Sequence, residues 1–139
     1  MVKLLSVLVA VLCAVTLVVT DDEEYPPPEL HEIIDPLHEM CTKKIGVSDA
    51  EVSGYQISDQ TPKMMCYMEC LMKESKWMSS DGVIQYDTIK EFSHPKIREL
   101  LLEALKNCMN IDAGTKDCEL SYNFNVCIQK ADPKHWFLP

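Results

Sequence analysis

Six cysteines after residue 20, spaced Cys41-x24-Cys66-x3-Cys70-x37-Cys108-x9-Cys118-x8-Cys127, constrain this chain more than any other feature. An even number of cysteines in a small secreted domain reads as a disulfide framework. Each native bridge in such a domain contributes roughly 2–4 kcal/mol, mainly by restricting the unfolded chain. Cys66 and Cys70 lie one helical turn apart and face the same way, so a bridge between them constrains almost nothing. Long-range bridges are favoured, but six cysteines allow fifteen pairings and spacing alone does not choose among them. Zinc is the rival use for the thiols. It calls for paired Cys-x2-Cys or Cys/His clusters, and secretion favours oxidation.

The compartment is read from the N-terminus. Lys3 supplies a short basic region, Leu4 to Val19 is an almost unbroken apolar run, and Asp21-Asp22-Glu23-Glu24 follows at once. That pattern predicts a secretory signal peptide over residues 1–20, cleaved after Thr20; it is too short for a membrane span and has no stop-transfer flank. A retained N-terminal anchor is the alternative. Cys13 leaves with the signal, so seven cysteines become six. The remainder, residues 21–139, has the length of one domain. It carries 12 basic against 22 acidic residues, a formal charge of −10. That balance argues against nucleic acid and against anionic membrane as partners. No Asn-x-Ser/Thr sequon is present, so N-glycosylation is not expected.

The hydrophobic periodicity is helical nearly throughout. Residues 21–28 are acidic and then proline-rich, an extended arm. A first helix is expected from about Pro28 to Lys44, with Pro36 kinking it and Gly46 ending it. Ser48-Asp49-Ala50-Glu51 is a capping box that starts a short second helix. Thr61-Pro62 reads as an N-cap followed by proline at the first helical position, opening a third helix that carries Cys66 and Cys70. A turn over Ser79-Ser80-Asp81-Gly82 leads to a short fourth helix from Tyr86 to Phe92. Pro95 opens the fifth, with an apolar stripe of Ile97, Leu100, Leu101, Ala104, Leu105 and Cys108. Thr115 is the expected cap of a sixth, which Asp132-Pro133 stops. The last residues, Lys134 to Pro139, are short and apolar and cannot form a full helix. No strand-like alternation or internal repeat is evident.

The cysteine spacing, with its three- and eight-residue gaps, resembles that of insect odorant-binding proteins of the six-cysteine type. Four further stretches are similar to the pheromone-binding-protein-related subgroup, the PBP/GOBP family. They are Tyr25-Pro26-Pro27-Pro28-Glu29-Leu30, Pro36-Leu37-His38, Cys66-Tyr67-Met68-Glu69-Cys70 and Ala131-Asp132-Pro133-Lys134-His135-Trp136-Phe137-Leu138. The likeness covers essentially all of residues 21–139. It implies an all-α fold of six helices around an apolar cavity, with three interlocked disulfides: Cys41–Cys70, Cys66–Cys118 and Cys108–Cys127. It also implies a non-enzymatic carrier of a small hydrophobic volatile ligand, secreted into sensillar lymph and needing no cofactor or metal. An olfactory receptor complex and a second copy of the chain are the further partners it implies; nucleic acid is not one.

Carried over position by position, the resemblance expects a cavity wall made by Leu30, Ile34 and Leu37 on the first helix. Leu71, Ser75 and Trp77 follow from the third helix and its exit, and Ile89 from the fourth. Leu101, Leu102 and Leu105 come from the fifth helix, Ile128 from the sixth, and Trp136, Phe137 and Leu138 from the tail, here residues 132–139. Such a wall suits a long-chain alcohol, ester or aldehyde. Relatives often have Trp directly after the sixth cysteine, where this chain has Ile128. Seven methionines after residue 20 add adaptable apolar surface, although each is equally at home in an ordinary core.

The tail is expected to fold back as a pocket wall, because Trp136, Phe137 and Leu138 are costly in water. Its terminal carboxylate at Pro139 then needs donors, and the resemblance aligns His38 and Tyr67 with them. The expectation is a lid that acid loosens, by protonating the carboxylate and charging nearby histidines. His31 and His38 lie seven apart on one helix, but a metal pair lacks a third ligand.

Other helical lipid proteins fit less well. A saposin-like chain begins and ends with close cysteine pairs, plant lipid-transfer proteins have eight cysteines, and a secreted phospholipase needs a His-Asp pair and a calcium loop. A carrier of fatty-acid-like or hormone-like lipids outside smell, on this same fold, is the alternative that remains.

Overall fold

Prolines and caps divide the chain into its helices. In the computed structural model, which describes residues 24–139, a single 3₁₀ turn at Pro28–Leu30 leads directly into α1 (His31–Ile45). Then follow α2 (Asp49–Ser53), α3 (Pro62–Glu74), α4 (Tyr86–Phe92), α5 (Pro95–Leu105) and α6 (Glu119–Ala131). The expected signal peptide, residues 1–20, lies outside the described residues. Among the described residues no helix is long and apolar enough to cross a membrane. The only β pairing there is an isolated bridge between Met78 and Ile84 across the turn that precedes α4.

Local chemistry accounts for the boundaries. Gly46 ends α1 in the left-handed conformation, φ 77°, and its amide closes on the Thr42 carbonyl. Pro36 stays within α1, where it removes one helical N–H donor. At α2 both halves of the capping box form: the Glu51 amide donates to Ser48 Oγ, and the Ser48 amide donates to the Glu51 carboxylate. Thr61 occupies the N-cap of α3, but its side chain makes no capping bond. The expected start of α6 at Thr115 is displaced. Residues 115–118 are not helical, and Cys118 at φ 62° takes the N-cap position. A left-handed residue cannot continue a helix, so Cys118 sets the boundary.

Three bridges tie the helices: Cys41–Cys70 joins α1 to α3, Cys66–Cys118 joins α3 to the head of α6, and Cys108–Cys127 joins the exit of α5 to α6. Each loop encloses a cysteine of another, so the bridges interlock. The loop from Cys66 to Cys118, at 52 residues of separation, is the longest; chain-entropy reasoning assigns it about 4 kcal/mol and the 19-residue loop about 3 kcal/mol. All of this agrees with the all-α, six-helix, triply bridged fold class expected from sequence.

The core divides into two lobes. Cys41, Val47, Val52, Met64, Tyr67, Cys70 and Leu71 form one, between α1, α2 and α3. Met72, Met78, Ile84, Ile89, Leu101, Leu105 and Phe124 form the other, between α3, α4, α5 and α6. Residues Leu71 and Met72, adjacent on α3, belong to different lobes, so α3 is the partition.

Candidate ligand-binding cavity

Between the two lobes lies a cavity of about 460 Å³. Its wall is built from faces that the helices cannot bury against one another. From the 3₁₀ turn and α1 come Leu30, Ile33, Ile34, Leu37 and Met40, the i, i+3, i+4 set of one helix face. Ile33 and Met40 are 50% and 47% exposed and stand at the open side. From α3 and its exit come Met68, Leu71, Met72, Ser75 and Trp77. Phe92 and Ser93 close the end of α4, Leu100, Leu101 and Ala104 line it from α5, and Phe124, Asn125 and Ile128 line it from α6.

The tail completes the wall with Trp136, Phe137, Leu138 and Pro139. Asp132 organises its departure from α6. The Asp132 amide closes the last helical turn on the Ile128 carbonyl at 2.9 Å, and the Asp132 carboxylate receives the His135 amide at 3.3 Å and faces His135 Nδ1 at 2.8 Å. The Trp136 indole N–H donates to Asn125 Oδ1 at 3.3 Å, which pins the tail to α6. Leu138 packs on the α1–α3 lobe. Tyr25, in the N-terminal arm, stacks edge-on against both His135 and Phe137, with ring centroids 4.9 and 5.7 Å away. Burial, and to a lesser degree Asp132, holds the Tyr25 phenol above its ordinary pKa.

The tail ends against a polar chain that crosses three helices. The Tyr67 hydroxyl donates to the Pro139 oxygen. His38 Nδ1 lies 2.8 Å from the same hydroxyl, and His38 Nε2 lies 3.1 Å from Asp49 Oδ1 on α2. A phenol has one proton, and here it goes to Pro139; a carboxylate only accepts. Which of its two neighbours receives a proton from His38 follows from the ring's tautomer. Burial, and secondarily Asp49, pushes the Tyr67 phenol well above its usual pKa, so it remains a donor.

Of the wall residues expected from sequence, Leu30, Ile34, Leu37, Leu71, Ser75, Trp77, Leu101, Ile128, Trp136, Phe137 and Leu138 lie on the cavity. Ile89, Leu102 and Leu105 do not. Ile89 and Leu105 are buried within the second lobe, and Leu102 packs against that lobe from outside. On α5 the apolar stripe is wide enough to serve both cavity and core: Leu101 faces the former, while Leu105, one turn on, belongs to the latter. Sequence reasoning missed Ile33, Met40, Met68, Met72, Leu100, Ala104 and Phe124, which share helix faces with expected wall residues and were recoverable from that spacing. It also missed Tyr25, Phe92, Ser93 and Asn125, which sit on an arm, at a helix end or on a polar position, where no periodicity points inward. Among the described residues no cluster of three or more His, Cys, Asp or Glu side chains could hold a metal.

The sequence model of the PBP/GOBP family matches residues 24–131. Odorant binding protein 5 of Apis mellifera superposes on the chain with a TM-score of 0.68 at 21% identity, over 80% of this chain and 95% of that one. Odorant binding protein 4 of Chrysopa pallens gives 0.67 at 26% identity, over 80% and 96%. An odorant binding protein of Locusta migratoria gives 0.65 at 24% identity, over 77% and 84%. The chain thus has the odorant-binding fold. The family match stops at Ala131, just before the tail that closes the cavity.

Proposed function

This chain belongs to the PBP/GOBP family of small-ligand binding proteins, carriers rather than enzymes, and from that premise we propose that it is an extracellular carrier of small hydrophobic odorants or pheromones, delivered to olfactory receptors. The observation that carries this reading is the 460 Å³ cavity between two lobes, walled mostly by aliphatic, aromatic and methionine side chains. An apolar volatile gains affinity there roughly in proportion to the area it buries, about 25 cal/mol per Å² before ordering costs. Residues 1–20 act as the secretion signal and residues 21–139 as the carrier, with the tail from 132 onward as one wall. The non-olfactory reading, carriage of a fatty acid or similar lipid, is less favoured. No lysine or arginine lines the cavity to pair with a lipid carboxylate.

The tail is a lid in this reading: it completes the cavity wall, and the Tyr67 hydroxyl, beside His38, holds its Pro139 oxygen. Acid loosens it by protonating the terminal carboxylate and charging the nearby histidines.

The test is binding of a fluorescent naphthylamine probe to the oxidised protein, titrated from pH 7 to pH 4. Micromolar binding, displaced by long-chain alcohols or esters, is the expected result. Absence of binding at every pH, with the helices shown intact, would overturn the carrier reading.

A further inference from the structure

We propose that Met40 is the oxidation-sensitive residue of the cavity: a peroxide converts its thioether to a sulfoxide, and the modified wall holds apolar ligands less well. The proposal rests on the carrier reading and adds a modification site to the same cavity.

Seven methionines follow residue 20, and the fold sorts them sharply. Met64, Met65, Met68, Met72 and Met78 are at most 5% exposed. Met40 and Met109 stand in solvent, at 47% and 39%. Of these two, Met40 lines the cavity, and Met109, beyond the end of α5, does not. Met68 and Met72 also line the cavity, but they are buried on α3. Met40 is thus the methionine that an external oxidant can reach and that a ligand can also touch.

Its place on α1 accounts for both properties. Met40 follows Pro36 by one helical turn. The two residues line the cavity and also a hollow that they share with Glu39 and Lys43, whose side chains are well exposed. Ile33, Phe92 and Leu100, the other exposed apolar residues of the cavity wall, carry no sulfur for peroxide to attack. Nor does a thiol compete, because the six cysteines after residue 20 are all bridged.

The chemistry needs only a peroxide. The thioether sulfur attacks one peroxide oxygen, and the S–O bond forms as the O–O bond breaks. The departing hydroxide takes the proton from the transferred oxygen and leaves as water. Sulfur gives up two electrons and the peroxide gains them. A flexible apolar side chain becomes a polar, chiral one, and reductases specific for each sulfoxide epimer reverse the change. A ligand that covers the sulfoxide must strip its water, so apolar ligands bind more weakly.

The test treats the disulfide-intact protein with hydrogen peroxide, then applies peptide mass spectrometry and titration with the naphthylamine probe. Wild type, Met40→Leu and Met109→Leu are compared, each with its own untreated affinity. Met40 and Met109 should gain oxygen while the five buried methionines do not. Probe affinity should fall about five-fold, the scale of one unpaired polar group, in the wild type and in Met109→Leu as Met40 sulfoxide accumulates. Treated Met40→Leu should lose none. Decanol, at a concentration that displaces the probe fully, should slow oxidation of Met40 and not of Met109. Circular dichroism should not change, which separates a polar wall from a loosened fold. The proposal is overturned if Met40 stays unmodified while Met109 reacts, if affinity survives complete Met40 sulfoxidation, or if Met40→Leu loses as much as the wild type. Each of these leaves the carrier reading standing. If the untreated wild type binds no probe, the carrier reading falls and the proposal falls with it.

Discussion

Tyr67 is where the two ends of the cavity mechanism meet. Its ring is fully buried in the α1–α3 lobe, yet its hydroxyl reaches both His38 and the Pro139 oxygen. Phenylalanine at this position keeps the packing and removes the hydroxyl that, among the described residues, hydrogen-bonds Pro139 to the core. Tyr67→Phe should lower stability at neutral pH by about 1–3 kcal/mol, the cost of leaving buried partners unpaired, measured by urea unfolding. Tyrosine ionisation gives a second check. Burial pushes the Tyr55 phenol up to about 12, with Tyr122 and Asp59 adding to it, and it pushes Tyr67 up further in the same sense. A phenol that ionises late in the folded chain favours the fold in full below its unfolded value, near 10. That contribution is lost as pH rises through the folded value. Stability should therefore fall between pH 10 and about 12, the window of Tyr55. Phenolate absorbance should show late steps that vanish in denaturant, and one of them should be missing in Tyr67→Phe.

Among the elements, the head of α6 shows how a covalent constraint overrides a local signal. Cys118 must reach Cys66 on α3, and it does so in a left-handed conformation that moves the N-cap of the helix three residues past the expected Thr115. The orphaned amides are served from the other side: the Glu119 carboxylate accepts from the Thr115 and Lys116 amides at 2.7 and 2.8 Å. These bonds lower the Glu119 pKa, the Lys116 amide most. Gly114 makes this reversal fit. It sits at φ 73°, and a Cβ there would lie 2.3 Å from Glu119 Oε2. Gly114→Ala should cost about 1–2 kcal/mol for the left-handed backbone alone, and more if the carboxylate is displaced; chemical denaturation measures it, and an unchanged midpoint would refute this account of the helix start. Helix positions were legible elsewhere because their stops are chemical: Pro62, Pro95, Gly46 and the Ser48–Glu51 box each act within a few residues. Wall and core were harder to separate. Periodicity identifies an apolar face but not what the face meets, which is why Ile89 and Leu105 read as cavity and belong to the core.

At the scale of the whole molecule, two lobes held by interlocked bridges keep a gap that the tail helps to wall, so the helical frame and the proposed lid should respond to acid separately. The start of α2 should hold in mild acid. Glu51, in the box that starts α2, has its pKa lowered to about 2, first by the Ser48 amide and then by Lys63. A carboxyl with a depressed pKa stabilises the fold above its unfolded value, ordinarily near 4.3, and loses that effect only as pH falls through the folded value. The start of α2, which carries Asp49 to His38, therefore persists well below the range in which histidines titrate. The proposed lid rests on other contacts, the Tyr67 hydroxyl on the Pro139 oxygen beside His38 and the pairing of His135 with Asp132. If acid opens it, probe affinity should fall between about pH 7 and pH 4 while far-ultraviolet circular dichroism stays constant. Deleting residues 133–139 should weaken probe binding at neutral pH and abolish the acid drop. An acid drop of full size in the truncated protein would place the release in the helical frame and not in the tail.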